Sequence, residues 1–176
     1  MILVFMLAAA PFLADGSDLH AKYPLIPWPD SVSEAEGYFQ ITSSTKLLIA
    51  QDSLRDEAEF FNRYLETMYG TGLEIRNAKR SSKGSVYLSV DPSVEKTHGG
   101  YTLSVSQGAL TITSADLAGA FYALQTLRQL LPVEVFRQAR VNGTVWTVPA
   151  VTITDAPRFS WRGGHLDVSR HFMPKE

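Results

Sequence analysis

The sequence has no cysteine among its 176 residues. This absence excludes a disulfide framework, a zinc site built on thiolates and a cysteine nucleophile, and it leaves the redox compartment open. A large excess of one charge is also lacking, since 16 Lys and Arg stand against 18 Asp and Glu. With so little net charge, no overall field would concentrate nucleic acid or an anionic lipid surface, so neither is expected as a partner.

A long apolar run occurs only at residues 1–14, and it is shorter than the ~20 residues that a membrane-spanning helix needs, so no membrane span is expected. The run is typical of the apolar stretch of an export signal, although no basic residue precedes it. The alternative is an N-terminal strand buried in a core. Export is the preferred interpretation, with a leader over residues 1–21 and a periplasmic, extracellular or, in a eukaryote, lysosomal-type location.

The remaining composition is that of a folded domain. Apolar residues make up 45% of the chain and charged residues 19%, a balance that excludes extensive disorder. At ~100–200 residues per domain, the length predicts one domain with little left over. The chain is too short for a complete (β/α)₈ barrel, which takes ~250 residues.

Apolar spacing predicts a first helix that starts behind Ser53 and stops at Gly70. Ser is a common N-cap, and Gly often ends a helix because it adopts the left-handed conformation. The inward face of this helix is predicted to comprise Leu54, Ala58, Phe61, Leu65 and Met68.

A second helix is predicted over residues 115–131, behind Ser114 and ended by Pro132. Gly119 in its interior costs about 1 kcal/mol relative to Ala, which indicates a close packing contact at that point. The inward face of this helix is predicted to comprise Leu117, Ala120, Phe121, Leu124, Leu127 and Leu131.

Alternating apolar and polar residues predict half-buried strands around these helices. Residues 106–108 join two of the strands, which predicts a hairpin with Gly108 in the left-handed conformation. The order of elements predicts an α/β (α+β) two-layer sandwich, in which a mixed sheet carries both helices on one face. More strands are expected after the second helix, and those before it cover residues 46–50, 85–90, 101–105 and 109–113.

Two further segments carry extended or turn signals. Three prolines within residues 23–29 exclude a helix and a central strand, so an extended segment on the domain surface is expected. Asn142 and Gly143 form a pair that is typical of a tight turn. Thr144 completes a glycosylation pattern with them, but the turn explains the pair without it.

Few residues before the C-terminal part have the spacing that chemistry requires. The four histidines lack the helical pair of a zinc protease, and the glycine-rich turn at His98 lacks the lysine and the helix of a phosphate site. Asp56 and Glu57 are the only adjacent carboxylates, and in the first turn of a helix they are expected to complement its dipole. The sequence therefore predicts no metal and no cofactor.

The densest polar group lies near the C-terminus, where its members alternate with Leu166 and Val168. Buried charges need partners. One interpretation is an ion pair between Asp167 and Arg170 that fixes a strand. The other is an arginine that reaches into a ligand site, because its planar fork offers two parallel donors to hydroxyl pairs. The group comprises Arg158, Arg162, His165, Asp167, Arg170 and His171.

These residues resemble a known family. The run DAPRFSWRG at 155–163, followed by LDVSRHF at 166–172, closely resembles the opening strand of the catalytic barrel in family 20 glycoside hydrolases, the β-N-acetylhexosaminidases. Residues 100–131 resemble the last hairpin and helix of that family's non-catalytic N-terminal domain, and residues 23–29 resemble its first segment. The resemblance implies an accessory domain over residues 22–155 and the first strand of a truncated barrel over residues 156–176.

The resemblance also implies a role for one residue. In the family, the arginine of an Arg-Gly pair binds hydroxyls of the terminal, non-reducing N-acetylhexosamine, and Arg162 holds the matching position. The catalytic Asp and Glu of the family are adjacent on a later barrel strand, and Asp56 and Glu57 are not their equivalent. The chain alone is therefore expected to be inactive, although the family hydrolyses glycosides with retention and with help from the substrate's own acetamide.

Two alternatives stay open. One is a free-standing, non-catalytic domain that binds glycans or a protein partner, which would display an exposed row of aromatic residues. The other is the N-terminal portion of a different glycosidase, of the family 84 type or an α-glucuronidase, since similar domains precede those barrels. The run at 166–172 favours family 20.

Overall fold

The computed structural model describes residues 16–70, 72–93, 97–137, 139–140, 142–165 and 167. In this part of the chain, no helix is long and apolar enough to cross a membrane. Short 3-10 turns cover Asp52–Leu54 and Val133–Phe136. The described α-helices are α1 (Gly16–Lys22), α2 (Arg55–Tyr69) and α3 (Leu117–Leu130). The strands are β1 (Ser31–Gln40), β2 (Lys46–Ile49), β3 (Glu74–Asn77), β4 (Ser85–Val90), β5 (Tyr101–Val105), β6 (Leu110–Ser114) and β7 (Thr147–Asp155).

One mixed sheet contains all of these strands, in the order β1-β7-β5-β6-β4-β2-β3. The half that contains β3, β2, β4 and β6 is parallel. The half that contains β6, β5, β7 and β1 is antiparallel. Connection length explains two of these pairs: a tight hairpin joins the antiparallel strands β5 and β6, whereas the parallel strands β2 and β3 are connected through α2. The predicted mixed sheet is confirmed.

Helices α2 and α3 form the second layer. They contact each other, and α3 packs on β4, β5 and β6 while α2 packs on β2 and β3. Leu103 at the centre of the sheet is paired with Ile112 on one side and Ile153 on the other, and all three side chains are fully buried. The predicted two-layer sandwich with both helices on one face is therefore confirmed.

Helix α2 has the predicted stop but not the predicted start. Gly70 ends the helix in the left-handed conformation, with φ of 82°. The prediction of Ser53 as N-cap is wrong, because the 3-10 turn over Asp52–Leu54 leads directly into α2 and no side chain caps its first turn. The side chain of Met68 lies outside the described residues, and the buried part of the predicted face comprises Leu54, Ala58, Phe61 and Leu65.

Helix α3 begins behind Asp116 rather than behind Ser114. The Asp116 Oδ1 atom accepts a hydrogen bond of 2.8 Å from the Gly119 N–H, whereas Ser114 ends β6. The close contact predicted at Gly119 is confirmed, since a Cβ atom there would lie 2.3 Å from the Gly100 carbonyl oxygen. The first turn of α3 therefore rests directly on the backbone that leads into β5.

Two residues predicted to face inward from α3 lie on its outer side instead. Leu117 and Phe121 are 39% and 37% exposed. Phe121 packs sideways against Phe60 of α2, with ring centroids 5.5 Å apart. Contact with the neighbouring helix, rather than with the sheet, therefore sets the environment of Phe121. The buried face of α3 includes Ala120, Ala123, Leu124, Leu127 and Leu130, and the predicted Leu131 is buried just after the helix.

The turns are confirmed in position but not in every detail. The hairpin between β5 and β6 forms, but Gly108 does not adopt a positive φ, so that prediction is wrong. The Ser106 hydroxyl explains the difference, because it accepts from the Ala109 N–H and donates to the Ala109 carbonyl, which closes the turn without a left-handed residue. Gly143 has φ of 82°, as expected for the tight turn that it shares with Asn142.

The proline-rich segment at residues 23–29 forms neither helix nor strand, as predicted. Its expected place on the surface is only partly right. Tyr23 and Leu25 are buried in the core, whereas Ile26 is 80% exposed. Successive side chains of an extended chain point in opposite directions. The segment therefore lies on the surface but inserts alternate side chains into the core.

Candidate functional site

A cavity of ≈ 340 Å³ lies between three parts of the chain: the proline-rich segment, α3 and the residues that follow β7. That volume is at the lower end of the ~300–1,000 Å³ typical of small-molecule pockets. Aromatic rings, carboxylates, an amide and a guanidinium all contribute to the walls. They include Trp28, Asp30, Tyr122, Gln125, Asp155 and Arg162.

Helix α3 supplies one wall through residues on a single face. Tyr122, Gln125 and Gln129 are separated by three and four positions, so they lie one above the other. The Gln129 side chain also holds the proline-rich segment in place. Its Oε1 accepts from the Ile26 N–H at 2.8 Å, and its Nε2 donates to the Ile26 carbonyl at 3.2 Å. One amide thus satisfies both backbone groups of a residue in a segment that has no strand partner.

Asp155, at the end of β7, anchors a second wall. Its Oδ1 accepts from the Asp30 N–H at 3.3 Å, and its Oδ2 accepts from the Tyr101 hydroxyl at 3.4 Å. The Tyr101 hydroxyl also shares a buried hydrogen bond of 2.6 Å with Thr126. Burial raises the pKa of the Asp155 carboxyl, although the hydrogen bonds from the Asp30 and Ala156 N–H groups act in the opposite direction. Burial likewise raises the pKa of Tyr101.

Arg162 reaches the cavity from the segment after β7. Its Nη2 donates a hydrogen bond of 2.9 Å to the Tyr122 hydroxyl. Its guanidinium carbon lies 5.0 Å from the centroid of the Tyr122 ring, within the range of a cation–π contact. A guanidinium has five N–H donors, so the bond to Tyr122 uses one of them.

Of the other polar residues predicted near the C-terminus, Arg158 also lines the cavity, whereas His165 is exposed. Residues 156–165 form neither helix nor strand. Leu166 and residues 168–176 lie outside the described residues, so the ion pair between Asp167 and Arg170, the position of His171 and the barrel strand stay predictions.

The remaining candidates lie away from this cavity. Asp56 and Glu57 occupy the first turn of α2, as predicted. His98 belongs to a loop, also as predicted, and its Nδ1 lies 2.6 Å from Asp116 Oδ2. Within the described ranges, no three histidine or carboxylate side chains come close enough together to hold a metal ion.

The cavity residues that sequence reasoning missed include Trp28, Tyr122 and Asp155. The indole of Trp28 stacks on the ring of His20, with centroids 3.6 Å apart, and the spacing of these two residues predicts no site. A signal for Tyr122 is present in the sequence, because a helix over this region places it on one face with Gln125 and Gln129. That face is polar, and a search for the inward face among apolar residues passes over it.

The comparisons with known proteins agree with this architecture. Residues 22–156 match glycosyl hydrolase family 20, domain 2. A β-hexosaminidase of Porphyromonas gingivalis is 33% identical over 152 residues, which is 86% of this chain and 19% of that protein. A β-hexosaminidase of Vibrio vulnificus is 34% identical over 156 residues, covering 86% of this chain and 16% of that protein.

Solved structures give the same result. The family 20 β-N-acetylhexosaminidase of Streptomyces coelicolor superposes with a TM-score of 0.75 at 32% identity, over 86% of this chain and 30% of that one. The corresponding enzyme of Streptomyces plicatus gives a TM-score of 0.74 at 33% identity, with the same coverage. The chain spans about a fifth of the length of the curated relatives it matches. With its mixed sheet, its two-helix layer and its match over residues 22–156, the chain belongs to glycosyl hydrolase family 20.

Proposed function

We propose that residues 22–155 serve as the accessory domain of an exported β-N-acetylhexosaminidase, and that residues 156–176 begin its catalytic barrel. The enzyme would remove terminal, non-reducing N-acetylhexosamine residues from glycans by retaining hydrolysis, with the substrate's acetamide oxygen as nucleophile. Support comes from relatives named β-hexosaminidases and from the match to the second domain of the family. That match covers residues 22–156.

The observation that carries the proposal is the position of Arg162. It stands at a cavity whose other walls include an indole, a phenol ring and a half-buried carboxylate. A guanidinium presents parallel donors to vicinal hydroxyls, aromatic rings pack on the apolar faces of a sugar, and a carboxylate accepts from hydroxyls. Arg162 would thus supply the contact that selects a hydroxyl-rich ring.

Titration of the 176-residue chain with N-acetylglucosamine tests this role. A single sugar with few contacts is expected to bind with a Kd near 1 mM, which corresponds to roughly 4 kcal/mol. Chemical-shift changes in a ¹⁵N–¹H spectrum measure such an affinity. Arg162→Ala is expected to raise the Kd about tenfold or more, because hydrogen bonds to a charged group contribute about 1.5–3 kcal/mol.

Arg80→Ala is the matched control, since Arg80 is an exposed arginine in the connection between β3 and β4. The Kd of this variant should equal that of the unmodified chain. Equal affinity of the Arg162→Ala and Arg80→Ala variants would remove Arg162 from the substrate site.

A further inference from the structure

We propose that Tyr122 of α3 is a positioning residue that orients the Arg162 guanidinium at the cavity. The accessory domain would then set the geometry of the arginine that binds sugar hydroxyls, and would not be a passive neighbour of the barrel. The inference rests on the proposed function of Arg162, but it concerns a different residue and a different element.

Two contacts join these side chains. The Tyr122 hydroxyl accepts from Arg162 Nη2 at 2.9 Å, and the guanidinium carbon lies 5.0 Å from the ring centroid. A hydrogen bond fixes one nitrogen, and the ring contact restrains the plane of the group. Together they restrict the guanidinium more than either contact would alone, and they leave the other donors of the fork for a ligand.

The Tyr122 ring is itself held on two sides. Phe121 meets it edge to face, with centroids 6.0 Å apart and an interplanar angle of 71°. On another side, a Cβ atom added to Gly99 would lie 3.0 Å from Tyr122 Cε2 and 2.9 Å from Pro157 Cγ. The missing side chain of Gly99 therefore admits both the ring and the segment that carries Arg162. Because these contacts restrain the Tyr122 ring, the ring can in turn restrain the Arg162 guanidinium.

Orienting Arg162 in advance has a consequence for binding. A surface arginine samples many rotamers, and ordering it on ligand binding costs conformational entropy. The contacts with Tyr122 restrict those rotamers before a ligand arrives. Loss of the Tyr122 hydroxyl should therefore weaken sugar binding although Tyr122 need not touch the sugar.

The first measurement follows the Arg162 side chain in the full 176-residue chain. In ¹⁵N–¹H spectra, the guanidinium protons of Arg162 should show an upfield ring-current shift and slow exchange with water. Tyr122→Phe should keep the ring-current shift and accelerate exchange severalfold, whereas Tyr122→Leu should lose both. Tyr38→Phe, on the outer side of β1 where Tyr38 is 57% exposed, is the control and should change neither signal.

The second measurement is the Kd for N-acetylglucosamine. Tyr122→Phe is expected to raise it about 2- to 10-fold, the usual range for one hydrogen bond, and Tyr122→Leu to raise it further, while Tyr38→Phe leaves it unchanged. The thermal unfolding midpoint of Tyr122→Phe should stay within about 1–2 °C of the unmodified chain, the effect of a few tenths of a kcal/mol, which separates positioning from general stabilisation.

The outcomes distinguish this inference from the proposed function. The inference is overturned if the guanidinium signals of Arg162 are the same in Tyr122→Leu as in the unmodified chain. It is also overturned if those signals change in Tyr122→Leu while the Kd for N-acetylglucosamine stays the same. In either case the proposed function is upheld if the unmodified chain binds N-acetylglucosamine measurably and Arg162→Ala loses that binding. If the Arg162 signals change in the Tyr122 variants but the unmodified chain binds no N-acetylglucosamine, the role of Arg162 in sugar binding is overturned. The inference about Tyr122 is then overturned as well.

Discussion

Asp116 joins a helix and a loop through one carboxylate. Its Oδ1 accepts from the Gly119 N–H of α3 at 2.8 Å, and its Oδ2 accepts from the Gly99 N–H at 3.0 Å. His98 Nδ1 contacts the same Oδ2 at 2.6 Å. The residue therefore caps α3 and also holds the turn that admits Tyr122 beside Arg162.

Replacement of this carboxylate should destabilise the domain. Asp116→Ala removes an N-cap, which usually costs about 0.5–2 kcal/mol, and it also leaves the Gly99 N–H without its acceptor. We therefore expect a loss near the upper end, about 2 kcal/mol, measured as the free energy of unfolding in urea at pH 7. A loss below about 0.5 kcal/mol would show that water replaces the carboxylate at both N–H groups.

The same residue predicts a pH dependence. Burial acts to raise the pKa of Asp116, but the hydrogen bonds from Gly119, Gly99 and His98 outweigh burial and hold that pKa below its ordinary value of 3.8. A carboxyl with a depressed pKa stabilises the fold above its unfolded-state pKa, and this contribution is lost as the pH falls through the folded-state pKa.

The variant Asp116→Asn tests this dependence, because it keeps an acceptor for the Gly119 N–H without the charge. The difference in free energy of unfolding between the unmodified chain and Asp116→Asn should be fully present at pH values well above the unfolded-state pKa of the carboxyl. It should narrow as the pH falls below about 4, where the carboxylate begins to be protonated in the unfolded state. Urea unfolding at a series of pH values measures this difference, and a constant difference down to the lowest pH would contradict the assignment.

At the scale of elements, the contact between α3 and the start of β5 depends on one glycine. A Cβ atom at Gly119 would lie 2.3 Å from the Gly100 carbonyl oxygen, which is backbone and not free to turn aside. Helix propensity favours Ala over Gly by about 1 kcal/mol, but the clash displaces α3 from the sheet. Gly119→Ala should therefore destabilise the domain by about 1–3 kcal/mol, the usual cost of overpacking, in urea unfolding.

The neighbouring position gives the opposite control. Ala118 precedes Gly119 in α3 and is only partly buried. Ala118→Gly should cost about 1 kcal/mol from propensity alone, with no clash. If Gly119→Ala instead stabilised the protein, propensity would outweigh the contact and the packing argument would fail.

The elements that could be predicted from the sequence are those with one buried face. β4 and β5 match their predicted limits because their apolar residues alternate. β1 and β3 were missed because most of their side chains are exposed, so they show no alternation. β1 and β3 are strands because their backbone groups pair with β7 and β2, and such pairing does not depend on alternating apolar and polar side chains.

The candidate site was predicted only where a motif marked it. Arg162 lies in a run that resembles the first barrel strand of the family, and its match to the arginine of the Arg-Gly pair identifies it as a candidate site residue. Tyr122 was missed because it meets Arg162 only in the folded chain, 40 positions apart. Asp155 begins the same run as Arg162, but its contact with Tyr101, 54 positions away, likewise forms only in the folded chain. Long-range pairs of this kind leave no local period in a sequence.

The outer side of the helix layer bears on the alternative of a glycan-binding module. Phe60, Tyr64 and Phe121 form the row of aromatic residues that such a module would display. However, the guanidinium carbons of Arg63 and Arg128 lie 5.3 Å from the Phe60 centroid and 3.5 Å from the Tyr64 centroid. The guanidinium groups cover a face of the Phe60 ring and a face of the Tyr64 ring, so this row does not favour the stacking of a sugar on those faces.

At the scale of the whole molecule, the position of the adjacent carboxylates bears on whether the chain could cleave a bound sugar. The single adjacent Asp-Glu pair of the chain, Asp56 and Glu57, lies in the first turn of α2. Neighbouring side chains on a helix diverge by about 100°, and neither residue lines the Arg162 cavity, so they are not placed to act together on a bond at that site. A bound sugar at Arg162 would therefore not meet this pair as its general acid.

The 176-residue chain is accordingly expected to bind N-acetylglucosamine without cleaving its glycosides. Release of p-nitrophenol from p-nitrophenyl N-acetyl-β-glucosaminide should stay at the level of a buffer blank, while the Streptomyces coelicolor enzyme assayed alongside reports that the assay works. Release well above the blank that follows the chain through gel filtration would contradict this expectation. Asp56→Asn and Glu57→Gln then locate the chemistry, because loss of that release in either variant would assign it to the pair on α2 and reverse the structural role given to that pair.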